Sequence, residues 1–207
     1  VYYSMDGLAM MAGMQGDYKQ AAELLEQVLA YWRKTNDTLR LTPTLNNLAI
    51  AMRRLGNIER AKQLYAEAIT LTKSAGIYRS LAHSLYGLAE VQMELKDYPA
   101  AIQLLRESIS IRYEIGELKG LAFSIGSVAI SLDHLGDSIL AAQLESASKK
   151  IWKELGMVIS PATRAENENF LAQLRAKLGD AAFEEAWANG QSMPLEEVVA
   201  LAMKESD

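Results

Sequence analysis

The chain of 207 residues has no cysteine. That absence removes disulfides, thiolate metal sites and cysteine nucleophiles together, and it fits a reducing compartment, so a cytoplasmic location is expected. There is no excess of positive charge either. With 21 basic and 26 acidic residues the formal charge is -5, so no face collects phosphates and direct nucleic-acid binding is not expected. No apolar run approaches the ~20 residues needed to cross a bilayer, and the amino terminus lacks a basic stretch followed by an apolar core. The reading is a soluble protein with no membrane contact.

Catalytic and cofactor signatures are missing as well. The two histidines, His83 and His134, lie in no ligand spacing, and Ser84 beside His83 points elsewhere on a helix, so no nucleophile and base pair follows. No glycine-rich phosphate loop is present. The nine methionines are scattered through apolar positions as core filler. No enzyme, metal or cofactor is expected.

What is there is half hydrophobic, enough to bury roughly 70% of the unfolded chain's surface. It is also periodic. Gly16-Asp17-Tyr18, Gly56-Asn57-Ile58, Lys96-Asp97-Tyr98 and Gly136-Asp137-Ser138 recur every 40 residues. Asp17, Asn57, Asp97 and Asp137 each place a short acceptor before an apolar-periodic run, as an N-cap does, and the preceding glycine can take the left-handed conformation that ends a helix. Lys96 breaks that rule and should cost its turn backbone strain.

Ala21, Ala61, Ala101 and Ala141 supply small side chains for close helix approach. Asn36, Gly76, Gly116 and Gly156 tolerate positive φ and close each second helix. Leu8-Ala9, Leu48-Ala49, Leu88-Ala89 and Val128-Ala129 mark the first helices. Within helices the apolar residues keep helical spacing, as in Leu24, Leu25, Val28, Leu29 and Trp32, and no stretch alternates with period two. Trp32 and Trp152 share a repeat position, which points to packing. Thr42-Pro43 and Ser160-Pro161 predict two further helix starts.

Leu-Ala, Gly-Asp-Tyr, alanine and an apolar pair such as Leu24-Leu25 together resemble the tetratricopeptide repeat (TPR) over residues 1–178. The usual period is about 34; the longer one here is similar to the variant in large bacterial signalling ATPases. A HEAT-type array also repeats at about 40 but does not account for the Gly-Asp-Tyr turn followed by alanine. The resemblance implies an all-α, right-handed superhelical solenoid of antiparallel helix pairs, with atypical capping helices over 179–207.

In that cap, Gly179-Asp180 repeats the turn three residues late, a helix bearing Phe183 and Trp187 ends at Asn189-Gly190, and Ser192 with Pro194 starts a last helix through Ala202. Glu184-Glu185 and Glu196-Glu197 are read as first-turn acids that complement helix dipoles. Residues 183–197 are similar to the tails of repeat domains in LuxR-type and related bacterial transcriptional regulators with a nucleotide-binding module. With neither a phosphate loop nor a helix-turn-helix signature here, only a sensor or protein-contact role carries over. Because Val1 is no initiator and residues 1–15 read as the middle or end of a repeat, the chain is expected to be a fragment of a longer protein.

The resemblance also assigns first helices to the concave face. It places there Tyr3, Asp6, Met10 and Met14; Asn46, Ile50, Arg53 and Arg54; His83, Tyr86, Glu90, Met93 and Glu94; and Phe123, Ile130, Asp133 and His134. Polar side chains at these positions, where packing against a helix would favour aliphatics, are expected to face a cavity and recognise something. Arg53 and Arg54 could take a carboxylate or phosphate, although Glu90, Glu94 and Asp133 oppose a basic clamp. The functional expectation is a protein- or peptide-binding module, open to a small-molecule effector, that acts by population shift; the alternative is a scaffold or co-chaperone-like adaptor that senses nothing.

Overall fold

The computed structural model describes residues 1–158 and 160–204, with the backbone alone at 161 and 162. The last three residues of the expected cap, 205–207, lie outside the described residues. The described residues form helices and no strand: α1 (Tyr2–Met14), α2 (Tyr18–Thr35), α3 (Thr38–Arg54), α4 (Ile58–Ala75), α5 (Tyr78–Glu94), α6 (Tyr98–Glu114), α7 (Leu118–His134), α8 (Ser138–Glu154), α9 (Pro161–Leu178), α10 (Asp180–Ser192) and α11 (Leu195–Met203). From α1 to α5, and again from α6 to α8, each packs chiefly on its neighbours in sequence, as stacked helix pairs require.

The repeated turns start helices as their chemistry dictates. Asp17, Asp97 and Asp137 accept from the backbone N–H three residues on, at 3.0, 3.2 and 3.1 Å, satisfying donors that a helix start leaves open. Asn57 opens α4 without a side-chain cap bond. Gly16, Gly56 and Gly136 have φ of 84°, 79° and 97°, and Lys96 is forced to 61° at the equivalent place. Asn36 (φ 51°), Gly76 (66°), Gly116 (67°) and Gly156 (61°) close the second helices in the same left-handed region.

The Thr42-Pro43 start is not used. Asp37 already caps α3 by accepting from Arg40 N at 3.2 Å, so Pro43 falls inside the helix. There its missing N–H forfeits the bond to the Leu39 carbonyl. Pro43 itself is exposed, and Thr44 Oγ1 donates to the neighbouring Arg40 carbonyl at 2.9 Å. Ser160 does cap, accepting from Thr163 N at 3.1 Å.

Two compact units divide the chain, residues 1–95 and 96–207. In the first, α1, α3 and α5 lie side by side, while Arg33 with Glu67 (2.6 Å) and Arg60 with Glu26 (3.4 Å) bridge α2 to α4 on the other side. Leu25, Leu29, Leu45, Leu48, Leu64 and Tyr65 are buried between these layers. Each fully buried leucine contributes about 1.5–3 kcal/mol.

In the second unit α6, α7 and α8 continue the stacking around Leu105, Ile109, Leu121, Ile125 and Leu144. The order then changes, because α10 rather than α9 makes the main contact with α8. Gly190, read from the sequence as a helix end, lies buried within α10, where a Cβ would come within 2.2 Å of the Gln143 carbonyl oxygen. Ser146 Oγ donates to Trp187 O at 2.7 Å and Gln191 Nε2 to Ser146 O at 2.7 Å.

Two more details of the cap differ from expectation. Ser192 ends α10, donating to Asn189 O at 2.9 Å, and α11 starts after Pro194 with no side-chain cap. Glu184 and Glu185 lie past the first turn of α10; Asp180 is its first-turn acid, and Glu184 pairs with Arg175. Glu196 and Glu197 do sit in the first turn of α11. That helix crosses α6, α7 and α8, and the buried Arg106 of α6 donates from Nε to Ala202 O (3.2 Å) and from a terminal nitrogen to Lys204 O. A guanidinium thereby serves carbonyls that a helix end leaves unpaired.

Candidate functional site

In the first unit the predicted residues sit on the layer formed by α1, α3 and α5. Tyr3 is exposed, with the Arg40 guanidinium 4.6 Å over its ring and Trp32 edge-on at 5.4 Å. Met10 and Met14 are also exposed. Asp6 is half-buried and its Oδ1 has no hydrogen-bond partner. Burial pushes its carboxyl above the usual range, against the pull of Arg40.

The polar residues at the centre are committed to each other. Asn46 of α3 is buried and accepts from Ser84 Oγ of α5 at 2.8 Å. Arg53, also buried, reaches Glu90 at 2.9 Å and Glu94 at 2.6 Å, so one guanidinium staples α3 to α5 through two carboxylates. Burial raises the Glu90 carboxyl even though Arg53 and Arg54 draw it down. Burial opposes the charge on Arg53, but Glu90 and Glu94 outweigh it and hold the guanidinium protonated. Pairing of this kind lets a charge leave water at tolerable cost.

Tyr65 of α4 lies beneath, its hydroxyl buried without a hydrogen-bond partner and its pKa raised by burial. A Cβ at Gly87 would come within 2.3 Å of that ring, so glycine admits the tyrosine. Ile50, Tyr86 and Met93 are half-buried, and Arg54 and His83 are exposed.

The second unit holds the remaining predicted residues. Phe123 is half-buried with its ring 5.0 Å from that of Trp152, over which the Lys149 ammonium sits at 3.7 Å. Ile130 is half-buried. Asp133 is buried and accepts from Ser138 Oγ at 2.6 Å and Lys177 Nζ at 2.5 Å. Burial opposes its ionisation, but those two donors outweigh burial and hold the carboxyl below its usual range. His134 stacks on Tyr98 with centroids 4.3 Å apart.

Asn46, Arg53 and Asp133 are therefore engaged within the protein, contrary to the expectation that polar first-helix residues face a cavity. Ser84 matters not as a neighbour of His83 but as donor to Asn46, a part that leaves no mark in local sequence. Among the described residues no group of three or more His, Cys, Asp or Glu could hold a metal ion, and no helix is long and apolar enough to cross a membrane.

Comparison with known proteins places this geometry. A solved TPR-like repeat structure of a Podosopora anserina kinesin light chain matches at 22% identity and a TM-score of 0.66, over 96% of this chain and 93% of that one. A form of the same repeats carrying one substitution matches at 23% identity and 0.67, with the same coverage. BtubC (BKLC) from P. vanneervenii matches at 17% identity and 0.70, over 95% of this chain and 78% of that one. At such identities the likeness establishes the fold. No curated protein matches the sequence. The tetratricopeptide repeat model matches residues 2–74 and 40–114, more than half of the chain and across the turns at 16, 56 and 96, so the chain belongs to the tetratricopeptide repeat family.

Proposed function

We propose that the α1, α3 and α5 face of the first unit binds a short apolar segment of a partner protein. The supporting observation is how the polar groups are used. Arg53 with Glu90 and Glu94, and Asn46 with Ser84, satisfy one another. The surface left for a partner is Tyr3, Met10, Ile50 and Met93, with Arg54 as an exposed cation at its side. Methionine and tyrosine adapt to varied apolar groups at low cost, and the cation favours a ligand with an acidic residue. TPR repeats mediate protein–protein contact, so this reading specifies the face and the ligand chemistry. The likeness of residues 183–197 to the tails of bacterial regulator repeat domains supports a place in a multidomain regulator, where partner binding would bias attached domains by population shift.

Peptides selected against the chain from a random display library provide the test. Tyr3→Ser with Met10→Asp, both at exposed positions, should weaken the selected peptides roughly 100-fold, from about 1.5 kcal/mol lost at each contact buried by the peptide, while the circular dichroism melt stays near that of the parent. Equal binding to the double variant, or cross-links confined to α2 and α4, would overturn the proposal.

A further inference from the structure

Beside the carboxyl-terminal helix the second unit holds a cavity of about 220 Å³. Its wall is apolar: Leu118 from the start of α7, Ile151 and Leu155 from α8, Met193 from the link between α10 and α11, and Leu195 and Val198 from α11. An engineered cavity of about 150 Å³ is enough to hold benzene, so this one accommodates a branched aliphatic group or a single ring. It is smaller than the roughly 300–1,000 Å³ typical of drug-sized ligands.

Two charged side chains of α8, Lys150 and Glu154, complete the lining. Residues four apart on a helix are neighbours whose opposite charges can pair, less favourably with lysine first, as here. Here the Lys150 ammonium donates to the Met193 carbonyl at 3.1 Å, and Glu154 is exposed at the cavity's edge. An ammonium carries three donors, which leaves Lys150 further capacity at the cavity. One lining therefore combines an apolar volume with a cation and an anion one helical turn apart.

We propose that this cavity binds a free apolar α-amino acid, with the side chain in the apolar volume, the carboxylate toward Lys150 and the ammonium toward Glu154. Charge complementarity selects this class. A fatty acid would pair its carboxylate with Lys150 but leave Glu154 unmatched beside it, and an alkyl amine would pair its ammonium with Glu154 but leave Lys150 unmatched. A zwitterion whose two charges flank one carbon satisfies both. This site is separate from the partner-binding face and stands or falls independently of it.

Titration calorimetry of the whole chain with L-leucine and L-phenylalanine tests the assignment, with 4-methylpentanoate and 3-methylbutylamine as single-charge controls. Saturable binding is expected at a Kd on the order of a millimolar or below. At least one of the two amino acids should bind roughly 10-fold more tightly than either control, and Lys150→Met and Glu154→Gln should each weaken it by a similar factor. Val198 methyl resonances should shift on binding, and in the free variants they should stay where they are in the free parent, so that loss of the site can be told from a fold defect. No saturation by either amino acid at about 10 mM, equal binding of a single-charge control, or binding unchanged in both variants would overturn the proposal.

Discussion

Two glycine-to-alanine substitutions, both inside helices, should move stability in opposite directions. An alanine Cβ at Gly190 would stand 2.2 Å from the Gln143 carbonyl oxygen and 2.8 Å from Ser146 Cβ, both on α8. The first obstacle is backbone and cannot swing aside, so α10 must lift. Lifting strains the bonds from Ser146 to Trp187 O and from Gln191 to Ser146 O, each 2.7 Å long. Overpacking costs about 1–3 kcal/mol and each weakened bond about 1 kcal/mol, against a gain of about 1 kcal/mol in helix propensity. Gly190→Ala should therefore lose about 2–4 kcal/mol. At Gly7 a Cβ meets nothing within 4 Å, and only the propensity term remains, so Gly7→Ala should gain about 0.5–1 kcal/mol. Thermal melts followed by circular dichroism should show Gly190→Ala several degrees lower and Gly7→Ala about 1–4 °C higher. Tryptophan fluorescence, to which Trp187 contributes beside Trp32 and Trp152, should change as well, because Trp187 stacks on Phe183 at 5.6 Å. A Gly190→Ala protein as stable as the parent would refute the claim that contact between α8 and α10 requires glycine.

Lys96, held at φ 61° where three other turns have glycine, bears left-handed strain of about 1–2 kcal/mol. Lys96→Gly should raise stability by a net ~0.5 kcal/mol after glycine's entropic penalty, read as a higher urea midpoint, and a lowered midpoint would count against strain at that turn. Asp133 has a folded pKa depressed below its ordinary 3.8, so its contribution is present above that value and is lost as pH falls through the folded one. Asp133→Asn should thus cost about 1 kcal/mol at pH 7 and less at about pH 3, as read from urea midpoints. A gap of the same size at both pH values would show that the carboxylate's charge contributes nothing.

The repeat was legible because backbone conformation leaves a strong residue signature. Left-handed positions require glycine or asparagine unless strain is accepted, and helix starts need short acceptors, so Gly16, Asn36, Asp17 and Asp137 could be read without coordinates. Thr42-Pro43 misleads because hydroxyl-proline is a start signal only when no earlier acceptor has begun the helix, and Asp37 has. Asp37 and Glu117, which accepts from Gly120 N at 3.0 Å, cap first helices without belonging to the repeated motif. Tertiary packing was the hidden part. Whether Arg53 faces a ligand or the carboxylates of α5 depends on partners 37 and 41 residues away, and no local pattern records that choice. Gly190 looks like a helix end because the sequence does not show the α8 backbone that makes a side chain there impossible.

The bonds from Arg106 to the carbonyls of Ala202 and Lys204 span nearly the whole second unit. During synthesis at about 5–20 residues per second, α6 leaves the ribosome several seconds before these acceptors exist. The second unit therefore acquires its final form late, and ribosome-bound chains halted before residue 202 should be more open to proteases around α6 than released chains.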